Sequence, residues 1–214
     1  MMSSRMSMAK TALTHASHSS KIASSTATRS ISIGTDMIST VVSLQKARSW
    51  HMTAAEGSNL AADNAVSLKD LFQDRTVAVF GVPAPFTGTC SNEHYPGYKQ
   101  LAVELKQAGI DEIVCLSVSD PYALAGWQQA LKNNNEHITF LADPKAEFAV
   151  GYGVDSLYDE CSLGLRSKRF SMIVVNGFVH TFRLVEDAVT DAAQVLAEIK
   201  EIKENPGVVT VDSA

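Results

Sequence analysis

Apolar and polar residues follow two alternating patterns along residues 66–204. Short, almost continuously apolar runs predict buried strands, and these runs lie at 77–82, 113–118 and 138–141. Elsewhere apolar residues recur three and four positions apart, which is typical of a helix with one buried face. The helices predicted along the chain lie at 98–108, 121–133, 144–150 and 189–203.

The last third of the chain adds a hairpin to this alternation. Asn176-Gly177 separates two strand-like runs, 170–175 and 178–185, and this dipeptide is the strongest short-range signal for a tight hairpin turn. Residues 151–165, before the hairpin, are expected to form a long loop. Strands that alternate with helices and end in a hairpin and a closing helix indicate an α/β fold with a mixed central sheet.

One cysteine lies at the point where the first of these strands ends. Pro83 and Pro85 lack the N–H group that a strand ladder needs, so the strand at 77–82 stops before them. Cys90 then falls in the first turn of the next helix, where Pro96 allows an irregularity. Free backbone N–H groups and the positive end of the helix dipole stabilise a thiolate at this position. Because the thiolate is the nucleophilic form of cysteine, Cys90 is the candidate nucleophile.

Two stretches around this cysteine resemble a known family. Pro83, Thr87 and Cys90 reproduce the P-x-x-x-T-x-x-C signature of peroxiredoxins. The residues that extend the match to the type-5, or plant type II, branch are Ser91, His94, Pro96 and Gly97. Far downstream, Lys168-Arg169-Phe170-Ser171-Met172 resembles the second signature of that branch, whose arginine closes the peroxide site. The resemblance covers about residues 66–202 and implies a thioredoxin-like fold with helices on both sides of the sheet.

The resemblance also implies an activity. Members of this family are thiol peroxidases that reduce hydrogen peroxide and alkyl hydroperoxides without metal or organic cofactor. They serve antioxidant defence and redox homeostasis. Cys90 would attack the O–O bond and become a sulfenic acid. Pro83 would shield the thiol, Thr87 would bond the peroxide, and Arg169 would stabilise the thiolate and the charge that develops on the leaving oxygen. His94 would either orient neighbours at the rim of the site or serve only as a structural histidine.

The step that regenerates Cys90 is left open by the sequence. Cys115 has the separation from Cys90 that plant type II relatives show, but strand alternation would bury it, and a disulfide to Cys90 would need local unfolding. Cys161 is either a substitute partner or an incidental thiol. If neither resolves the sulfenic acid, glutathione with glutaredoxin would attack Cys90 directly. The reductant that the resemblance implies is the glutaredoxin and glutathione system or thioredoxin.

Composition excludes several other classes of protein. Three cysteines without close pairs fit neither a disulfide framework nor a zinc site. The net charge of −5 divides into a basic segment, 1–52, and an acidic remainder, which argues against a nucleic-acid surface. Apolar runs are far shorter than the roughly 20 residues that span a bilayer, so no membrane partner is expected.

Two rival functions remain for a lone reactive cysteine. A cysteine hydrolase would pair Cys90 with a histidine base, but it would leave Thr87 and Arg169 without a role. A redox sensor or chaperone-like binder would keep Cys90 and turn over poorly.

The N-terminal segment has the composition of an organelle transit peptide. Residues 1–52 are rich in Ser and Thr, carry Lys and Arg, and hold no acidic residue before Asp36. We therefore expect a disordered leader at 1–52, addressed to the mitochondrion, with the plastid or cytoplasm as alternatives. A linker (53–65), the peroxiredoxin-like domain (66–204) and a C-terminal tail (205–214) would follow.

Two expectations concern the edges of the domain. The strand or hairpin that usually opens the family fold is not recognisable after residue 52. Either residues 37–44 supply a substitute strand or this edge of the domain is abbreviated. The resemblance further implies a homodimer, for which the sequence holds no feature of its own.

Overall fold

A computed structural model describes residues 30–133 and 137–205 of the chain. Its strands are β1 (Ser43–Lys46), β2 (Ala65–Ser67), β3 (Thr76–Gly81), β4 (Glu112–Ser117), β5 (Ile138–Ala142), β6 (Asp155–Tyr158), β7 (Gly164–Ser167), β8 (Phe170–Val175) and β9 (Phe178–Leu184). Seven of them form one sheet in the order β2-β1-β5-β4-β3-β8-β9. The three central strands β3, β4 and β5 are parallel, and the outer pairs are antiparallel. The predicted mixed sheet is confirmed.

Helices cover both faces of this sheet. They are α1 (Leu60–Asp63), α2 (Leu68–Phe72), α3 (Tyr95–Gln107), α4 (Pro121–Ala130), α5 (Glu147–Gly151) and α6 (Asp191–Glu204). Successive residues of β3 point to opposite faces, so Val77 and Val79 enter one apolar cluster while Ala78 and Phe80 enter the other. Over the described ranges, no helix is both long and apolar enough to cross a bilayer. The arrangement confirms the α/β sandwich that the alternating pattern predicts.

The predicted loop at 151–165 is wrong. Strands β6 and β7 pair with each other, with Asp155 opposite Ser167, and a 3-10 turn at Asp159–Cys161 connects them. This hairpin stands apart from the main sheet, and most of its residues are only partly buried. A strand that buries little apolar surface carries a weak alternation signal, which explains the error.

The expectation of a disordered leader as far as residue 52 is wrong for residues 30–52. Strand β1 lies between β2 and β5, and its Leu44 is buried. Met37 is fully buried as well, and Asp36 forms a β-bridge with Phe178. Of the two alternatives for this edge, the structure supports a strand in this segment, but the strand forms at Ser43–Lys46 and not at 37–44. In a segment rich in Ser and Thr, a strand with a single buried residue gives little apolar signal.

The predicted linker is also partly structured, and the two ends of the chain are not described. The proposed linker at 53–65 contains α1 and the first residue of β2. Residues 1–29 of the leader, and the tail beyond Asn205, lie outside the described residues. Within the described residues, the folded domain extends back at least to Ile31, whose side chain is buried and whose N–H group donates to the Tyr152 carbonyl.

Candidate active site

The loop after β3 places the candidate nucleophile at a helix start. Strand β3 is central in the sheet, and Val82, which follows it, still donates its N–H to the Leu116 carbonyl. Pro83 is half-buried in the loop, and Phe86 adopts a positive φ of 63°. Helical backbone begins at residue 88, so Cys90 lies in the first turn with only 1% of its surface exposed. The loop thus delivers the sulfur to the place that the sequence predicts.

The irregularity expected near Pro96 lies in the turn before it. Residues Cys90–His94 form a π-helical turn, in which the N–H of Tyr95 bonds the Cys90 carbonyl. Pro96 has no N–H group with which to continue the regular ladder of the helix, which favours a wider turn at this point. Turns of this kind are frequent at functional sites. Cys90 and His94, at the two ends of this turn, are both buried.

Arg169 contacts both ends of this turn. It follows β7 in the chain, and its Nη2 atom lies 3.4 Å from the Cys90 sulfur. Its Nη1 atom lies 3.1 Å from Nδ1 of His94. A planar guanidinium can make both contacts at once because its N–H groups point along a fixed fork. Cys90, His94 and Arg169 are therefore assembled into one cluster, although Arg169 is 79 residues from Cys90.

Thr87 is hydrogen-bonded at both its hydroxyl and its carbonyl. Its hydroxyl donates to the Ala84 carbonyl at 2.9 Å, and its own carbonyl accepts from the N–H of Ser91 at 3.0 Å. Because the hydroxyl proton is already used, the oxygen offers lone pairs to a donor such as a peroxide O–H. Next to it, the Trp127 indole donates to the Ser91 hydroxyl at 2.9 Å and fixes the turn from the side of α4.

A buried carboxylate underlies the cluster, and the sequence gives no sign of it. Asp191, the first residue of α6, is fully buried. Its Oδ2 accepts from Nε2 of His94 at 2.9 Å and from the Tyr98 hydroxyl at 2.6 Å. Its Oδ1 accepts from the Ser171 hydroxyl at 2.7 Å and from Arg183 at 2.8 and 3.0 Å. A lone acid in the first turn of a helix is common, so only the fold distinguishes this one.

These contacts set the charge states around the site. Burial alone would raise the pKa of Asp191, but hydrogen bonds from His94, Tyr98 and Ser171 outweigh it and lower the pKa to about 2. Burial lowers the pKa of His94, an effect that Asp191 opposes, and raises the pKa of Tyr98. Asp191 is therefore an anion at neutral pH, while His94 and Tyr98 are neutral.

The lowered pKa of Asp191 predicts a specific loss of stability in acid. A group with a lowered folded-state pKa contributes stability above its unfolded pKa, and this contribution is lost as the pH falls toward the folded value. We expect the stability difference between the wild type and Asp191→Asn to shrink by about 2 kcal/mol in total on acidification, and by about half of that at pH 3. Urea unfolding at a series of pH values between about 5 and 3 measures this difference. A pH-independent difference would contradict the prediction.

The two other cysteines occupy contrasting positions. Cys115 lies in β4 between Phe80 of β3 and Phe140 of β5, and it is fully buried, as strand alternation predicts. Burial, and next the charge of Cys90, raise the pKa of the Cys115 thiol. Cys161 is exposed at the end of the 3-10 turn, and all three cysteines are free. Neither Cys115 nor Cys161 is presented as a ready nucleophile next to Cys90.

The geometry argues against a cysteine hydrolase. Such an enzyme needs a histidine nitrogen that accepts the proton of the nucleophile. His94 does have an orienting carboxylate in Asp191, but its second nitrogen faces Arg169. With both ring nitrogens occupied in this way, His94 has no position left for a proton from Cys90.

Comparison with known proteins finds relatives along most of the chain. The family model described as Redoxin matches residues 51–196. The chain is 37% identical over 191 residues to "Peroxiredoxin-2F, mitochondrial" of Arabidopsis thaliana, covering 88% of this chain and 92% of the relative. It is also 37% identical over 172 residues to the protein of the same name from Oryza sativa subsp. japonica, covering 79% and 83%. Both names specify the mitochondrion, in agreement with the location predicted from the leader.

A solved structure has the same fold. Reduced Prx3 from Vibrio vulnificus superposes with a TM-score of 0.65 at 30% identity, covering 79% of this chain and 99% of that one. The thioredoxin-like fold implied by the two sequence signatures is thereby confirmed. The chain therefore belongs to the redoxin family, as a peroxiredoxin of the type-5 and plant type II branch.

Proposed function

We propose that the protein is a thiol peroxidase in which Cys90 reduces hydrogen peroxide and small alkyl hydroperoxides. The observation that carries this proposal is the guanidinium of Arg169, 3.4 Å from the Cys90 sulfur. A cation at this distance attracts a negatively charged sulfur and also meets the negative charge that forms when the O–O bond breaks. Membership of the peroxiredoxins supports the same activity.

The chemical step follows from this arrangement. The Cys90 thiolate attacks one peroxide oxygen, so that an S–O bond forms as the O–O bond breaks. The leaving oxygen takes up a proton and departs as water or alcohol, and Cys90 remains as the sulfenic acid. Arg169 stabilises the leaving oxygen, while the Thr87 hydroxyl accepts a hydrogen bond from the peroxide. Pro83 limits the access of solvent to the sulfur.

The sulfenic acid is reduced by an external thiol in this proposal. A thiol of glutathione or thioredoxin attacks the Cys90 sulfur and releases water, and a second thiol then breaks the mixed disulfide, with glutaredoxin assisting when glutathione is the donor. The position of Cys115 supports this route. Its strand pairs on both sides, with β3 and β5, which holds the Cys115 backbone in place and limits the movement that disulfide geometry with Cys90 would demand.

The route predicts that neither other cysteine is needed. We expect Cys115→Ala and Cys161→Ser to turn over hydrogen peroxide within about twofold of the wild type, with glutaredoxin and glutathione or with thioredoxin. Alanine is chosen at position 115 because a buried serine hydroxyl without a partner would be costly in itself. Steady-state peroxide consumption measures the rates. A large loss of turnover in one variant, while Cys90 is still oxidised at the normal rate, would make that cysteine the resolving residue.

We also propose that the transit peptide is shorter than residues 1–52. Met37 and Leu44 belong to the buried core, so cleavage after them would remove part of the folded domain. The cleavage site is therefore expected before Ile31. N-terminal sequencing of the protein recovered from mitochondria tests this boundary. A homodimer stays a prediction from the resemblance.

A further inference from the structure

The ring of His94 lies between one group that can only donate hydrogen bonds and one that can only accept them. Arg169 carries donors but no acceptor, and its Nη1 lies 3.1 Å from Nδ1. The ionised Asp191 carboxylate carries acceptors but no donor, and its Oδ2 lies 2.9 Å from Nε2. A single state of the imidazole satisfies both neighbours, namely the neutral ring with its proton on Nε2. The other tautomer would place a proton against Arg169 and a lone pair against the carboxylate.

The carboxylate that selects this tautomer is itself rigidly held. Ser171 from β8 and Arg183 from β9 donate to its Oδ1, and Tyr98 from α3 donates to Oδ2 next to His94. Arg183 also pairs with Glu198, which accepts from the Thr181 hydroxyl at 2.9 Å. Elements from three parts of the chain thus converge on one buried anion. The hydrogen bonds of the Asp191 carboxylate go to His94, Tyr98, Ser171 and Arg183 and not to the Cys90 sulfur, so an effect on the sulfur must pass through another residue.

We propose that Asp191 is a positioning residue of the peroxidase site: it fixes the tautomer of His94, and His94 in turn holds the Arg169 fork on the Cys90 sulfur. When Nη1 of Arg169 donates to Nδ1 of His94, the planar guanidinium can turn its Nη2 only toward a limited region, and the sulfur lies there at 3.4 Å. Long arginine side chains otherwise adopt many rotamers. This inference rests on the proposed peroxidase function.

The test uses Asp191→Asn, which keeps the shape of the side chain. Arg183 makes two contacts with Oδ1, so the asparagine oxygen stays on that side and the amide N–H₂ turns toward His94. The amide donates to Nε2, the ring proton moves to Nδ1, and Arg169 loses its acceptor. We expect the rate constant for oxidation of Cys90 by hydrogen peroxide to fall about 10- to 100-fold, as is typical when a group that orients a metal ligand through a hydrogen bond is lost. Nitrogen NMR of the ¹⁵N-histidine-labelled protein should show His94 changing from the Nε2–H to the Nδ1–H form.

Two further variants separate positioning from simple loss of packing. Ser171→Ala removes another hydrogen bond to the same carboxylate on the side away from His94, so the tautomer should stay unchanged and the rate should fall less than about threefold. His94→Gln identifies the His94 signal by its disappearance. If Asp191 acts through His94, the double variant Asp191→Asn/His94→Gln will be about as slow as His94→Gln alone.

Each of several outcomes would overturn the inference. These are an Nδ1–H form of His94 in the wild type, an unchanged tautomer and rate in Asp191→Asn, or additive losses in the double variant. The wild-type spectrum decides the first of these even if Asp191→Asn does not fold. A wild-type protein with the Nε2–H form that does not react with peroxide would instead refute the proposed function, so the two failures are distinguishable.

Discussion

Replacing Cys90 by serine is expected to lower peroxide turnover by more than about a thousandfold. A neutral hydroxyl is a weak nucleophile, and no other thiol is placed against Arg169 to substitute for it. The side chain is nearly the same size and is buried in a pocket that already contains polar groups, so the fold should persist. Peroxide consumption with glutaredoxin and glutathione, and separately with thioredoxin, measures the loss.

The indole next to the site provides a direct signal for the same reaction. Trp127 bonds the hydroxyl of Ser91, the residue after Cys90, so its fluorescence should change when the sulfur is oxidised. We expect this change in the wild type and in Cys161→Ser, and none in Cys90→Ser. Substantial turnover by Cys90→Ser would assign the chemistry to another residue. Stoichiometric loss of peroxide by the wild type, without turnover, would favour a redox sensor.

The position of the nucleophile could be predicted from the sequence because its determinants are local. An apolar run, two prolines and the start of a helical period fix where β3 ends and where Cys90 lies. The partner Arg169 has no local signal. Without the family signature, Lys168 and Arg169 look like an ordinary pair of solvated bases, and only the fold brings the arginine to the sulfur.

Asp191 and β1 show why the rest could not be predicted. The partners of Asp191 come from the π-helical turn at Cys90–His94 and from α3, β8 and β9, and no spacing in the sequence relates them. Strand β1 has four residues, of which Leu44 is the buried one, and it lies in a segment whose composition resembles a leader. In both cases non-local pairing decides the structure, and local propensity carries little information about such pairing.

Replacing Arg169 by lysine is expected to lower the rate constant for oxidation of Cys90 about 100-fold. Lysine keeps the positive charge but has a single ammonium group, which cannot bond His94 and face the sulfur in the way that the two ends of a guanidinium do. Loss of a well-placed donor for developing charge typically costs about 10²- to 10³-fold. Arg169→Met removes the charge as well and should be slower still. Stopped-flow Trp fluorescence with hydrogen peroxide measures each rate constant.

Arg166→Lys is the matched control, because Arg166 lies in β7, three residues before Arg169, and donates to the carbonyls of Leu163 and Val118. It should react at close to the wild-type rate, so that a loss in Arg169→Lys cannot come from replacing any arginine of this segment by lysine. The comparison of lysine with methionine at position 169 then separates charge from geometry. If lysine were as fast as arginine, charge alone would be sufficient at this position. The alignment of the Arg169 guanidinium by His94 and Asp191 would then have no effect on the rate of oxidation. If the lysine variant is slower than the wild type but faster than the methionine variant, both the charge and its alignment contribute to the rate.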